Sequence, residues 1–509
     1  MRTRVLALSV ASALALGACL PSLEQVSPDD SEPWPDGGEG IGISTGGGDV
    51  YEQEVVWSDC GQLECATIQV PLDWSDPEGA TIGIAVNRLA AGNQDERIGS
   101  LLINPGGPGG SGMELTESFA FFGGDLLLEH YDVVGFDPRG VRLSAPINCG
   151  TDEELDAYFL ADVTIETEAD LNREIERTTA FAQRCRELTG PVIENIDTAS
   201  AARDMDVIRA VLGDDKLHFL GFSYGTQLGA NYATLYPENV GHMVLDGAVD
   251  FLLPAEDLSA GQAGGFELAL ERYIENCIST SNCPLPRDVD LAKREIRDIA
   301  IEARDEGFPS SAEDVNGQLM IYGIVVTLYD EGSWIYLSAA LDEVITEGTA
   351  DLFLQLANFY LDRNEDGEYQ GNSTEAFTAI SCLDEPDYPD ITIDEYRQFE
   401  RSIEQYSPTF GWWFASGVGC SGWPWNADTI VDDLGPAADA GPIVVIGTSG
   451  DPATPYEWAE SLSDRLPNAA LVTYIGDGHT AYGRSNQCIV DAIDAYFVND
   501  VIPDSGLTC

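Results

Sequence analysis

The chain has 509 residues, enough for a large core plus a second unit or a big insertion, and its 44% apolar content suffices for a packed interior. With 88 acidic residues against 24 basic ones, its formal charge is −64. That sign excludes nucleic acid as a partner, because phosphate binding needs cations; it suits a heavily solvated surface in a salty exterior and a field that draws in cationic groups such as peptide amino termini.

The first 18 residues combine a basic start (Arg2, Arg4), an apolar stretch from Val5 to Leu16 and small residues before Cys19. Residues 1–18 therefore read as an export signal, too short to be a good spanning helix. Leu16-Gly17-Ala18-Cys19 resembles a bacterial lipobox, whose cysteine is lipidated and becomes the new N-terminus. Ordinary signal cleavage beside an incidental cysteine is the alternative. Removing Cys19 from eleven cysteines leaves ten, an even number, which in an exported chain implies a disulfide framework. Nearness in sequence suggests Cys60 with Cys65, Cys149 with Cys185, Cys277 with Cys283, Cys382 with Cys420, and Cys488 with Cys509. No C-x-x-C pair or histidine cluster suggests a zinc site, so no metal is expected. Residues 19–50, rich in Pro, Gly, Ser and acids, read as a flexible tether between membrane and folded domain.

Residues 51–250 alternate strand and helix signals. Strands are expected over Thr67–Val70, Thr81–Val86, Ser100–Ile103, Tyr131–Phe136, Leu217–Leu220 and Met243–Gly247, and helices over Asp152–Leu188 with breaks and Ala199–Leu212. Such alternation indicates a mostly parallel sheet covered on both faces. Residues 251–426 carry mostly amphipathic helical stretches, including Gly265–Cys277, Asp288–Arg304 and Ser333–Tyr360, and read as a helical cap inserted into the sheet domain. Residues 427–509 resume the core with strands at Ile443–Gly447 and Leu471–Tyr474 and a final helix near Cys488–Phe497. Within the cap, Asp362-Arg363-Asn364-Glu365-Asp366-Gly367 opens like an EF-hand calcium loop, but its twelfth position is Ser373, so the bidentate glutamate is missing and a plain polar turn is the stronger reading.

Gly221-Phe222-Ser223-Tyr224-Gly225 lies between a buried strand and a helical run, Thr226 to Tyr236, that stops at Pro237. Strand, sharp turn, helix is the setting of a nucleophile elbow, in which a strained turn exposes the serine hydroxyl over the sheet edge. A serine needs a base, and the base an orienting acid. Of four histidines, His218 and His242 fall in or at the start of strands and His130 precedes a strand, which leaves His479 in a loop after the last strand. Asp451 follows the preceding strand, and its competitor Asp477 follows the wrong one. The catalytic set is thus Ser223, Asp451 and His479. Asn104 to Gly112 is a glycine-rich turn after a strand, without the Gly-Lys-Ser/Thr of a phosphate loop. The expected oxyanion donors are the backbone N–H groups of Gly107 and Tyr224. No cofactor is required for such acyl transfer.

These motifs, with Tyr131-Asp-Val-Val-Gly-Phe-Asp-Pro-Arg-Gly140, Val244-Leu-Asp-Gly247, Asp451-Pro-Ala-Thr-Pro455 and Gly478-His479, resemble the exported tripeptidyl aminopeptidases of the proline-iminopeptidase-like α/β-hydrolases over roughly residues 50–509. The resemblance implies an α/β-hydrolase with an inserted cap, acting as a secreted or envelope-anchored serine peptidase on peptides with free N-termini. It also implies contact with membrane through a lipid anchor only. Some relatives are cell-envelope lipoproteins with endoprotease or esterase activity, which fits Cys19. Family members often read Gly-Val-Gly-x-Ser after the Asp-Pro-Arg turn, where this chain has Gly140-Val141-Arg142-Leu143-Ser144, so substrate preference can differ. An aminopeptidase must hold an ammonium group, and Asp384 and Glu385, beside a disulfide cysteine, are the candidates. A carboxylesterase or endoprotease on the same triad, and a non-catalytic substrate-binding lipoprotein, are the competing readings.

Overall fold

The computed structural model describes residues 43–45, 49–385 and 391–509. The export signal, Cys19 and most of the tether lie outside the described residues. Eleven strands form one sheet: β1 (Ser44–Thr45), β2 (Ser58–Cys60), β3 (Leu63–Pro71), β4 (Ala80–Leu89), β5 (Gly99–Asn104), β6 (Tyr131–Phe136), β7 (Leu217–Phe222), β8 (Val240–Asp246), β9 (Ile443–Gly450), β10 (Ala469–Asp477) and β11 (Leu507–Thr508). Their order is β11-β10-β9-β8-β7-β5-β6-β4-β3-β2, with β1 pairing β4. From β11 to β6 every pair is parallel, and the antiparallel pairs are confined to β1, β2, β3, β4 and the β4–β6 junction.

The central strands are continuous apolar runs because helices cover both faces. Leu101, Ile103, Leu220, Phe222, Val244 and Ile446 face one layer, which holds Leu115 and Phe119 of the helix Gly112–Phe122 and Ile493 and Phe497 of the helix Gln487–Asn499. Their neighbours Leu102, Phe219, Leu245 and Val445 face the other, which holds Met205 of Thr198–Val211 and Leu228 and Tyr232 of Tyr224–Leu235. Alternation along each strand thus feeds two separate cores.

Between β8 and β9 the chain is helical, and among the described residues it adds no strand to the sheet, only the bridges Phe308–Val315 and Arg363–Tyr369. Helices Ala255–Ser279, Val289–Asp305, Gly317–Leu328, Trp334–Glu347 and Asp351–Tyr360 share a core built on Leu270, Ile296, Ile324, Leu341 and Phe353. Two differences from the expected pattern have simple causes. Gly348 adopts φ 71° and takes up carbonyls of the preceding turn, so the stretch expected over Ser333–Tyr360 is two helices. Gly317–Leu328 is buried on all sides and so lacks the amphipathic period that betrays a surface helix.

A later helix of the insertion, Ser373–Asp384, packs instead with the sheet: Ala376, Ala379, Ile380 and Leu383 join the core that holds the helix Tyr224–Leu235. Its entry is tied down by Asn372, whose side chain bonds Arg142 N, Gly140 O and Ile147 O, and by Glu375, which accepts from Cys149 N at 2.6 Å. The turn before it closes on itself. Asn364 Oδ1 accepts from Asp366 N and Glu368 N, and the Arg363 guanidinium pairs with Asp156 and Glu313.

All ten cysteines from Cys60 onward are paired, in the five combinations that nearness in sequence suggests. No described helix is long and apolar enough to cross a membrane.

The loop after β6 is anchored by Arg139, which is fully buried. Its guanidinium forks onto Asp204 at 2.7 and 2.6 Å and donates to the carbonyls of Pro71, Leu72 and Asn195. Removing one partner of a buried pair strands the other charge, so Arg139→Met should destabilise the protein by about 3–5 kcal/mol in urea unfolding at pH 7. A loss within about 1 kcal/mol, the usual worth of an exposed pair, would show that the pair adds little.

Candidate active site

Ser223 stands at the end of β7 and caps the helix Tyr224–Leu235 with φ 55° and ψ −123°, a backbone conformation that costs a non-glycine residue about 1–3 kcal/mol. The turn is held from both sides. Ser223 N donates to Asp246 O at 2.8 Å, while Ser223 O accepts from Thr226 N and Thr226 Oγ1 at 2.8 and 2.6 Å. The glycine-rich turn after β5 presses against it: a Cβ on Gly106 would lie 2.5 Å from Phe222 O and 2.8 Å from Ser223 Cβ. A Cβ on Gly221 would lie 2.4 Å from Gly225 O, so the G-x-S-x-G glycines are there for close approach.

Neighbouring strands β7, β8, β9 and β10 deliver Ser223, Asp246, Asp451 and His479 to one edge of the sheet. His479 Nδ1 lies 2.9 and 3.0 Å from the two Asp451 oxygens. Asp451 has no exposed side-chain surface, and its carboxylate also accepts from Ala453 N, Thr454 N and Thr480 N at 2.9, 2.8 and 3.1 Å. A carboxylate so placed favours the imidazole tautomer with its proton on Nδ1, which would leave Nε2 as the nitrogen able to take another. The ring reaches the elbow side: a Cβ on Gly247, next to the strand end that binds Ser223 N, would lie 3.3 Å from His479 Cε1. Among the described residues the Ser223 hydroxyl makes no hydrogen bond, an open arrangement that is common before substrate binds.

Tyr224 is the first residue of its helix, so its N–H lacks an internal partner, and a Cβ at Gly106 would stand 3.0 Å from it. Gly106 N is already spent on Asn104 Oδ1 at 3.0 Å, whereas Gly107 N has no acceptor among the described residues. Tyr224 N and Gly107 N are thus the backbone donors beside the elbow without a described acceptor, the kind of group a developing oxyanion requires.

His218 and His242 stack on each other at a ring separation of 5.1 Å at the opposite end of the strands, and His130 binds Leu126 O. Asp384 lies close behind the elbow: Thr198 N donates to Oδ1 at 2.9 Å, Thr198 Oγ1 donates to Oδ2, and Tyr224 Oη bonds the same hydroxyl. Burial pushes the Asp384 carboxyl up to about 7. Glu385 is half-buried beside the Cys382–Cys420 disulfide, and burial raises its carboxyl as well. Arg142 adopts φ 39° and pairs with Glu114. Among the described residues no group of three or more metal-ligating side chains converges.

Several residues at the site carried no assigned role in the sequence. Thr454 Oγ1 lies 3.3 Å from His479 Nδ1. Asp246 accepts from Ala481 N and Tyr482 N, at distances down to 2.7 Å, and its burial raises its carboxyl to about 6. Both sit inside motifs quoted for the resemblance, which was the available signal. Tyr329, from the cap, had none: its carbonyl accepts from His479 N at 2.9 Å and its ring meets the imidazole edge-on at 5.4 Å.

The alpha/beta hydrolase fold family matches residues 99–288, and the TAP-like protein family matches residues 407–509. The chain is 33% identical over 488 residues to the serine protease Hip1 of Mycobacterium tuberculosis, spanning 90% of this chain and 91% of that one. It is 33% identical over 514 residues to carboxylesterase B of the same species, 97% of each chain. To the tripeptidyl aminopeptidase of Streptomyces lividans it is 30% identical over 475 residues, 89% of this chain and 86% of that one.

If Asp451 serves as the acid that orients His479, Asp451→Asn should lower kcat by about 10⁴-fold in steady-state kinetics with little change in thermal stability. A loss below tenfold would remove Asp451 from the role.

Proposed function

We propose that this chain, which belongs to the tripeptidyl-aminopeptidase-like family of α/β-hydrolase serine peptidases, releases di- or tripeptides from free amino termini through an acyl-enzyme on Ser223. The observation that carries the reading is the Asp451–His479 pair placed beside a strained serine elbow. Ser223 Oγ attacks the scissile carbonyl as His479 Nε2 takes its proton. The N–H groups of Tyr224 and Gly107 receive the developing oxyanion, each worth about 3 kcal/mol of transition-state stabilisation. His479 then protonates the leaving amine, and water activated by the same nitrogen releases the peptide.

The exopeptidase part of this reading rests on Asp384 and Glu385. Each Asp384 oxygen accepts one bond from Thr198, and an ionised carboxylate oxygen has room for a second. The path from Ser223 to Asp384 is one tyrosine side chain and two hydrogen bonds, all through Tyr224 and Thr198. An ammonium group arriving there would find a partly desolvated acid that gains from its charge. Carboxylesterase activity is the second reading, favoured by the likeness to carboxylesterase B and by the greater ease of ester cleavage on the same groups.

A tripeptidyl chromogenic amide with a free amino terminus, compared with its N-acetylated twin, separates the two. Acetylation should reduce kcat/KM by roughly ten- to a hundredfold, the worth of one charge-assisted hydrogen bond, and Ser223→Ala should be inactive on both. Protonation of Asp384 as pH falls through about 7 removes its charge, so KM for the free-amine substrate should rise on acidification while that of the acetylated one stays level. Equal rates on both substrates would move the reading to an endoprotease or esterase.

The same proposal places the protein outside the cytoplasm, lipid-anchored through Cys19 to the outer face of the bacterial membrane. Five disulfides support export to an oxidising compartment, and they use the ten cysteines that follow Cys19 in the sequence. Cys19→Ser should abolish incorporation of labelled fatty acid and shift the protein from the membrane pellet to the soluble fraction; unchanged labelling would overturn the anchor.

A further inference from the structure

The geometry points to Arg484 as the positioning residue of the general base, one that fixes the His479 loop and makes that fix depend on the docked cap. The inference rests on His479 being the base. Arg484 is nearly buried, with 6% of its side chain exposed, and its whole donor fork is turned on the loop. Nε donates to His479 O at 3.0 Å, Nη1 to Asp477 O at 3.1 Å and Nη2 to Thr480 O at 2.6 Å. Three diverging carbonyls so close in sequence suit a planar guanidinium with fixed donors, and an ammonium cannot reach all three.

The loop needs such a clamp because its backbone does not relax into a regular element. Gly478 and Thr480 adopt φ 95° and 65°, on either side of the histidine. On the opposite side the Asp246 carboxylate gathers Ala481 N and Tyr482 N. The loop is thus pinned by a cation along its carbonyls and an anion along its N–H groups, while Asp451 holds the ring itself.

The cap completes the arrangement. Asp330, which follows Tyr329 at the end of the helix Gly317–Leu328, reaches Arg484 Nη1 at 3.5 Å, and Tyr329 O takes His479 N. A Cβ on Gly478 would lie 2.7 Å from both Arg484 Nη1 and Tyr329 O, so cap and arginine close on the residue before the histidine. Displacing the cap segment would remove one partner from His479 and one from Arg484 together. A base misplaced by about 1 Å costs roughly a hundredfold in rate, so access and base geometry are coupled through these contacts.

The test uses the full chain carrying Arg484→Lys, which keeps the charge and loses the fork, and Asp330→Asn, which keeps the cap's own turn and weakens the tie to the arginine. Readouts are kcat and KM on a small uncharged ester and on the peptide amide, the rate of Ser223 labelling by a fluorophosphonate, and the downfield imidazole Nδ1 proton resonance. Arg484→Lys should lower kcat and the labelling rate roughly 30- to 100-fold with KM within about twofold, and broaden or shift the resonance. Asp330→Asn should do the same to a smaller degree, about three- to tenfold, and, since Asp330 is part-exposed and the three carbonyl bonds of Arg484 remain, it is the variant to read if the lysine variant does not fold. Wild-type kcat and labelling in a folded Arg484→Lys, or in Asp330→Asn where the lysine variant fails to fold, would overturn the proposal, as would losses confined to KM. His479→Ala run in parallel separates the two readings: an active His479→Ala sinks the base assignment itself, whereas an inactive one beside a fully active Arg484→Lys sinks only the role of the arginine.

Discussion

The backbone of Ser223 sets the terms for everything around it. A side-chain-bearing residue at φ 55° persists only where its neighbours leave no alternative, and here both ends of the turn are hydrogen-bonded while glycines allow the adjoining backbone to approach within contact. The sheet supplies the rigidity: β7 is paired on both sides by parallel strands and buried on both faces. The strain is local, and the scaffold that holds it is large.

The same edge of the sheet is organised by buried carboxylates, each in a different hydrogen-bond setting. Asp451 has three backbone donors besides the imidazole. Asp246 gathers the loop after the histidine, and Asp137 accepts from Ser111 Oγ and Leu143 N, joining the glycine-rich turn to the loop after β6. Burial raises Asp137 and Asp246 to about 6 each, so these groups cost the fold more when ionised and are kept because they fix loops that no regular element could fix. A chain with so many acids puts most of them in water; these few are placed where oriented N–H groups need an acceptor.

Much of this was legible in the chain itself. The order Ser223, Asp451, His479 followed from strand-end placement and from a shortage of histidines, and the structure pairs His479 with Asp451 at 2.9 Å. The disulfide pairs join cysteines that are neighbours in the sequence order of cysteines, at separations from 5 residues for Cys60–Cys65 to 38 for Cys382–Cys420. Other features left no trace. The helix Ser373–Asp384 reads as part of the insertion, yet its apolar face joins the sheet core, because a helical stripe declares that it must be buried without declaring against what. Tyr329 and Arg484 look like ordinary cap and loop residues.

Sequence by itself determined the local chemistry: which serine sits in a strained turn, which histidine is free of a strand, which stretches are strands covered on both sides. These are matters of short-range pattern, where glycine placement, side-chain period and residue type act within a few positions. Tertiary structure alone decided what meets what across long separations. It put the Tyr329 carbonyl on the His479 N–H, linked Asp384 through Thr198 to Tyr224, and brought Asp330 to Arg484. Such contacts depend on how whole layers pack, and no local pattern encodes the position of a partner a hundred residues away.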